Sequence, residues 1–438
     1  MTTIEDYIEH NALLYPQKDA IVCGNRKCSY AELWQLICNK AEELRPSVKE
    51  RQIVALRSSQ DIDFLVLYFA LHKCGCAAAP LERDMPDNLF HEIEDKLSGH
   101  EVPEGTADIL YTTGTTGKSK GVIISHSTII ADAENLIEGQ GFSHDLGFIV
   151  NGPLNHIGSL SKVYPVMMLG ATLIIIEGMK DVNLFYDALA LPYPKMATFL
   201  VPASIRILVQ FSAEKLSSYR EKIDFIETGA APITQADMQE LCKLLPTSRL
   251  YNTYASTETG IISTYNFNDG RCMVGCLGRP MKHSRIVITE SGHISCQGDT
   301  LMSGYVGDKE LTDSVLKDGT IYTHDVGRID EEGMLHLSGR EDDVINVGGF
   351  KVAPTEVENV AMEIPEIIDC ICVAAKHPVA GMAPKLLVVL KDGAELDKKK
   401  IARYINSKLE SYKVPFAYEQ IESVHRTYNG KIDRKYYR

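Results

Sequence analysis

From Thr112 to Gly121 every residue of this chain is Thr, Gly, Lys or Ser. An apolar strand-like run, Ile109 to Tyr111, enters this stretch, and another, Val122 to Ile124, leaves it. Glycine lets backbone N–H groups approach an anion, and threonine hydroxyls add further donors. Lys118 and Lys120 supply positive charge. A turn of this composition directly after a strand is suited to a polyphosphate. It is not a Walker loop. Gly117-Lys118-Ser119 matches the end of that motif, but Thr112 stands where its first glycine is required, and no helix start follows. Thr112, Thr113, Gly114, Thr115, Thr116, Lys118 and Lys120 are the candidate phosphate ligands.

The rest of the composition narrows the partners. The chain has 438 residues, 45% of them hydrophobic and 24% charged, so it can bury a large core and exceeds the size of a single one. Its formal charge of −14 argues against a nucleic-acid binder and against adsorption to anionic lipid. The longest apolar stretches, such as Val166 to Ile176, are too short to span a bilayer, so no membrane insertion is expected. The N-terminus is polar and acidic, unlike a signal peptide. The 11 cysteines are irregularly spaced without a C-x-x-C, as in reduced thiols of a cytoplasmic protein.

Strand-like and helix-like segments alternate along most of the chain. Helical spacing marks Tyr30 to Leu44 and Ile62 to Gly75, and short apolar strands recur in GVIISH, ATLIIIEG, MATFLVP and IDFIETG. This alternation predicts parallel β structure covered on both faces. From about Arg279 the texture changes to short strands with glycine turns, which predicts antiparallel hairpins or a small barrel. After Arg340 a mixed tail contains CICVAA, LLVVL and a helix-like KKKIARYINSKLESY. The expected fold is α/β: a large N-terminal domain (1–341) of α/β layers plus a small β-barrel-like part, then a small mobile α+β C-terminal domain (342–438).

YTTGTTGKSKG (Tyr111 to Gly121) resembles the phosphate-loop signature of the adenylate-forming superfamily, which includes acyl- and aryl-CoA ligases, and companion motifs follow in that family's order. TGAAP (Thr228 to Pro232) resembles the turn bordering adenine and acyl pocket, which places Gly229, Ala230 and Ala231 there. YNTYASTETG (Tyr251 to Gly260) is similar to the Y-G-x-T-E motif. The resemblance implies that Tyr254 stacks on adenine, Asn252 meets its edge, Thr257 bonds the α-phosphate and Glu258 holds Mg²⁺. GRP (Gly278 to Pro280) and GDTLMSGYVGD (Gly298 to Asp308) resemble structural motifs, read as scaffold. YTHDVGRID (Tyr322 to Asp330) implies that Asp325 accepts the ribose hydroxyls, with His324 crowding a turn where the family usually has glycine. GREDDVINVGGFKV implies ribose or phosphate contact for Arg340, a hinge at Asp342 and a thiol tunnel lined by Gly348 and Gly349. YNGKIDR near the C-terminus implies that Lys431 bridges the carboxylate and the α-phosphate.

The family's chemistry is a two-step reaction. A carboxylate attacks the α-phosphate of ATP, and a thiol then takes the acyl group from the adenylate. The implied substrates and cofactors are a small carboxylic acid, ATP, Mg²⁺ and CoA, or the phosphopantetheine of an acyl-carrier protein. A carrier-loading enzyme and a non-catalytic AMP-binding module are the alternatives. His156, in NGPLNHIGSL, matches a His that acyl- and aryl-CoA ligases often carry at the acyl pocket. No Asp between Asn151 and Leu160 is available for an amino-acid amine. Met167, Met168, Leu169, Phe199, Val201 and Ile261 are pocket candidates by family position, with core packing the commoner role for such residues. Only 110 residues precede Tyr111, fewer than in most relatives, so part of one N-terminal α/β layer is expected to be missing.

Overall fold

In a computed structural model of the chain, the periodic segments adopt the structure that their patterns predict. Residues 1–113, 119–378, 380–426 and 432–437 are described, the side chains of Thr113 and Ser119 excepted. Tyr30–Leu44 is a helix begun by a capping box: the Ser29 hydroxyl accepts from the Glu32 N–H, and the Glu32 carboxylate accepts from the Ser29 N–H at 2.8 Å. Ile62–Lys73 is apolar nearly all round and is correspondingly buried.

Among the described residues the largest sheet has 14 strands. Its centre is parallel, with Thr172–Ile175, Leu146–Val150, Lys195–Phe199, Ile223–Thr228 and Arg249–Ser256 side by side in that order. These strands are mostly buried along their length, as covered parallel strands are. Because they run in one direction, the segments after Val150, Phe199, Thr228 and Ser256 all emerge at one edge.

Arg249–Ser256 then folds back on Gly260–Asn266. The sheet continues through Cys276–Pro280, Leu335–Arg340, Thr320–Ile329, His293–Gly298 and Ser284–Ile288, all antiparallel. The barrel-like part is thus an extension of the large sheet that curls back on itself. Ser284 Oγ returns to within 3.0 Å of Asn135 Nδ2 and 3.3 Å of the Ile261 carbonyl.

A second sheet runs Gly304–Tyr305, Ser119–Ser125, Thr106–Thr113, Ala77–Glu82, Ile53–Ser58. Thr112 pairs with Lys120, and Thr113 with Ser119, so the Thr/Gly/Lys stretch connects two antiparallel strands. Residues 342–438 contribute a third sheet and a hydrophobic cluster of their own, built from Ile345, Val352, Val357, Cys372, Leu386, Ile401 and neighbours. The helix-like KKKIARYINSKLESY segment is helical over Lys398–Lys408, and the 3-10 turn Ser411–Lys413 follows. No helix among the described residues is long and apolar enough to cross a membrane.

The first helix, Ile4–Leu14, is tied to the core by a buried polar cluster. His72 Nδ1 lies 2.9 Å from Glu5 Oε1, and its Nε2 lies 3.3 Å from Asp108 Oδ1. The Tyr68 and Tyr164 hydroxyls donate to Asp108 Oδ2 at 2.8 and 3.2 Å. Burial alone disfavours the imidazolium, but Glu5 and Asp108 outweigh it and raise the His72 pKa from 6.5 to about 10. The folded state therefore holds a proton that the unfolded chain releases. The resulting stabilisation is complete below about pH 6.5 and is lost as pH rises toward 10. The thermal unfolding midpoint should fall across that window. His72→Gln should unfold at lower temperature at pH 6 and lose much of the slope; an unchanged slope in the variant contradicts the assignment.

Candidate active site

The turn joining Arg249–Ser256 to Gly260–Asn266 carries Thr257 and Glu258, both half-buried. Gly260 makes the turn possible. Its φ is +68°, and a Cβ there would meet the Thr300 carbonyl at 2.5 Å and Asp132 Oδ1 at 2.6 Å. Glu258 Oε1 accepts from the Tyr305 hydroxyl at 3.2 Å. The Lys120 ammonium stands 5.5 Å from the centre of the Tyr305 ring. Tyr305 reaches this place because Gly304–Tyr305 pairs with Val122 and Ile123 beside the Thr/Gly/Lys stretch. The GDTLMSGYVGD stretch, expected as scaffold alone, therefore supplies a side chain between the candidate Mg²⁺ ligand and a phosphate-loop lysine.

Asp325 lies on the strand Thr320–Ile329, in register with Arg340, whose Nε is 3.4 Å from Asp325 Oδ1. The other carboxylate oxygen accepts from the Tyr254 hydroxyl at 2.7 Å. Tyr254 is only 8% exposed, so little of its ring is open to a base. The expectation for His324 is corrected here. The segment is a strand rather than a turn, successive side chains alternate in direction, and His324 is exposed while Asp325 is half-buried. Asn252 is buried with its Nδ2 on the Cys276 carbonyl at 3.1 Å.

At the end of Ile223–Thr228, Gly229 is packed so that a Cβ would come within 2.9 Å of the Thr253 carbonyl. Ala230 follows at φ +65°, a strained value for a residue with a side chain, and Ala231 is half-buried. Beneath this turn lies a buried ion pair that no local pattern announced. Lys162 Nζ meets Glu227 Oε1 at 2.9 Å, each side chain 1% exposed. Lys162 also stands 5.4 Å from the Phe199 ring centre. That ring abuts both Gly158 and Gly229, at 3.3 and 3.6 Å from an added Cβ. Asn151 Nδ2 fastens the neighbouring segment to the Phe199 carbonyl at 2.8 Å. His156, half-buried, immediately precedes the helix Ile157–Leu169. Of the pocket candidates, Met167 and Ile261 belong to the core.

Arg340 leads into a one-turn helix, Glu341–Asp343, that exposes Asp342. Gly348 and Gly349, at φ +57° and +99°, form the exposed two-residue tip of a hairpin, and nothing lies within 4 Å of a Cβ added to either. Thr112 is half-buried on its strand. Gly114, Thr115, Thr116, Lys118 and Lys431, together with the side chain of Thr113, lie outside the described residues.

The family model described as AMP-binding enzyme matches residues 8–96 and 92–306, and that of the AMP-binding enzyme C-terminal domain matches 356–431. The chain belongs to the AMP-binding enzyme family. The match to the larger AMP-binding model falls into two pieces that overlap at residues 92–96. The indoleacetate–CoA ligase of Aromatoleum aromaticum is 27% identical, over 98% of this chain and 96% of its own length. That alignment spans 499 positions, more than the chain has residues, so this relative carries insertions absent here. The 2-succinylbenzoate–CoA ligase of Bacillus mycoides is 25% identical over 99% of this chain and 98% of its own. Among solved structures, ATP-bound MatB from Rhodopseudomonas palustris superposes with a TM-score of 0.86 at 22% identity, covering 98% of each chain. The o-succinylbenzoate CoA synthetase of Bacillus subtilis, in complex with an acyl-adenylate intermediate, gives 0.83 at 21%, over 98% of this chain and 97% of its own.

The Tyr254 hydroxyl holds the orientation of Asp325, the residue expected to accept the ribose hydroxyls. Tyr254→Phe should weaken ATP binding about tenfold, the size expected for a hydrogen bond to a charged group. Isothermal titration checks this; affinity equal to the wild type contradicts it.

Proposed function

We propose that the chain activates a carboxylic acid with ATP as an acyl-adenylate, releases pyrophosphate, and transfers the acyl group to a thiol, most simply that of CoA. The observation that carries this reading is the convergence of two polar groupings on one hairpin. Tyr254 of that hairpin donates to Asp325, which in turn pairs with Arg340, and its Glu258 accepts from Tyr305, whose ring carries the Lys120 ammonium. The first suits a ribose, and the second suits a polyphosphate with its cation. The CoA-ligase names of the relatives support the same reading.

A carboxylate and a triphosphate repel each other, so the first step requires cations placed in advance. Lys120, Lys118 and Lys431 are assigned that role. Glu258, a half-buried carboxylate already oriented by Tyr305, would hold a hard cation such as Mg²⁺. Mg²⁺ held there would offset charge on the pyrophosphate. Thr112, Thr113, Gly114, Thr115 and Thr116 are assigned to the phosphates, and Thr257 to the α-phosphate. Gly229, Ala230 and Ala231 border the adenine, and Asp325 with Arg340 holds the ribose. The acid enters beside His156 and Phe199.

Residues 1–341 and 342–438 are assigned as the two working units, pivoting at Asp342 so that Gly348 and Gly349 admit the thiol after adenylation. A carrier-bound phosphopantetheine is the alternative acceptor. The 11 free thiols support a reducing, cytoplasmic location.

Acid-dependent ATP–pyrophosphate exchange across a panel of aryl and acyl carboxylic acids tests the reading. At least one acid should support exchange, and Lys431→Ala should reduce it by orders of magnitude. No exchange with any acid contradicts it. Thioester formation with free CoA then distinguishes ligase from carrier loader.

A further inference from the structure

A four-membered charge array joins the two parts of the chain. Arg206, on the helix Pro202–Phe211, places Nε and Nη2 on Asp237 Oδ2 at 3.1 and 2.9 Å. Its Nη1 reaches Asp369 Oδ1 at 2.8 Å. Asp369 lies on the strand Ile367–His377 of the C-terminal sheet, and its second oxygen takes Arg426 Nη2 at 2.7 Å. The charges alternate, and the Arg206 and Asp237 side chains are 13% and 8% exposed. The Asp369 and Arg426 side chains are 21% and 23% exposed, so the bridge between the two parts is partly shielded from water, and losing one partner leaves the other poorly solvated without its counter-charge.

Its position matters more than its strength. The helix bearing Arg206 begins directly after the strand ending at Phe199, so the array is tied to the proposed acid site. At its other end, Arg426 is bridged to Ile432, one residue beyond Lys431. The glycine hairpin tip of the same domain is exposed, with Phe350 beside it 58% exposed. The array therefore turns one end of the C-terminal sheet toward the large domain while the Gly348–Gly349 tip stays in solvent.

We infer that Arg206 is a positioning residue: through Asp369 and Arg426 it holds the C-terminal domain in the orientation that serves adenylation, and this bridge opens before the thiol step. The inference rests on the proposed two-step reaction. Arg206 touches no substrate, and its effect is to divide the enzyme's time between the two half-reactions.

The test measures the half-reactions separately on the full chain. One is ATP–pyrophosphate exchange; the other is thioester formation from CoA and synthetic acyl-adenylate of an acid active in exchange. Arg206→Gln should lower the exchange kcat about tenfold or more, as expected on breaking a buried charge pair, with the KM for ATP within about twofold. The thioester half-reaction should hold its rate or accelerate. Arg206→Lys should recover part of the exchange. Asp369→Asn, on the other domain, should reproduce the split and serves if Arg206→Gln fails to fold. Equal losses in both half-reactions, or no loss in either, overturn the inference. A wild-type protein without exchange overturns the proposed function instead.

Discussion

The common direction of the central parallel strands is the constraint on which the site depends. Loops leaving Val150, Phe199, Thr228 and Ser256 have to surface at one edge of the sheet. That edge is where ligands of open α/β sheets bind, because backbone there turns away and leaves a crevice. Segments far apart in sequence thereby become neighbours: Gly158 and Gly229 both pack on the Phe199 ring. The buried Lys162–Glu227 pair sits directly under this junction, where a charged core is tolerated only when both partners are held. The strained Ala230 stands one residue beyond Gly229, consistent with a turn whose shape matters more than its relaxation.

Electrostatics makes the same edge selective. A chain with a net charge of −14 repels polyanions at long range. In the proposed function a nucleotide binds where a few cations are fixed locally, and Lys120 and Arg340 are held by an aromatic ring and a carboxylate respectively. Asp325 and Glu258 each accept from a tyrosine hydroxyl, and Asp325 also faces the Arg340 guanidinium. A phenol donor orients a carboxylate without neutralising it, which leaves the second oxygen or lone pairs for ligand.

Much of this was legible in the sequence because it is local. Helical periodicity located Tyr30–Leu44 at its observed ends, and the run of apolar strands foretold the parallel centre of the sheet. What was not legible depends on pairings across long separations. Tyr305 meets Glu258 across 47 positions, Lys162 meets Glu227 across 65, and Arg206 meets Asp369 across 163. Nothing in the flanking residues of a lone Tyr, Lys or Arg distinguishes these from core or solvated side chains. His324 is different, because its outward direction follows from strand alternation once Asp325 is taken to face the site.

The central claim is that a carboxylate oxygen attacks the α-phosphorus of ATP. It is tested most directly with an acid that supports exchange, labelled with heavy oxygen in its carboxylate and turned over with ATP and the thiol acceptor. The bond made in the first step is the one left on the phosphate when the thiol takes the acyl group. AMP recovered by mass spectrometry should therefore carry one heavy oxygen, and pyrophosphate none. AMP without the label, or label in pyrophosphate or inorganic phosphate, contradicts the account.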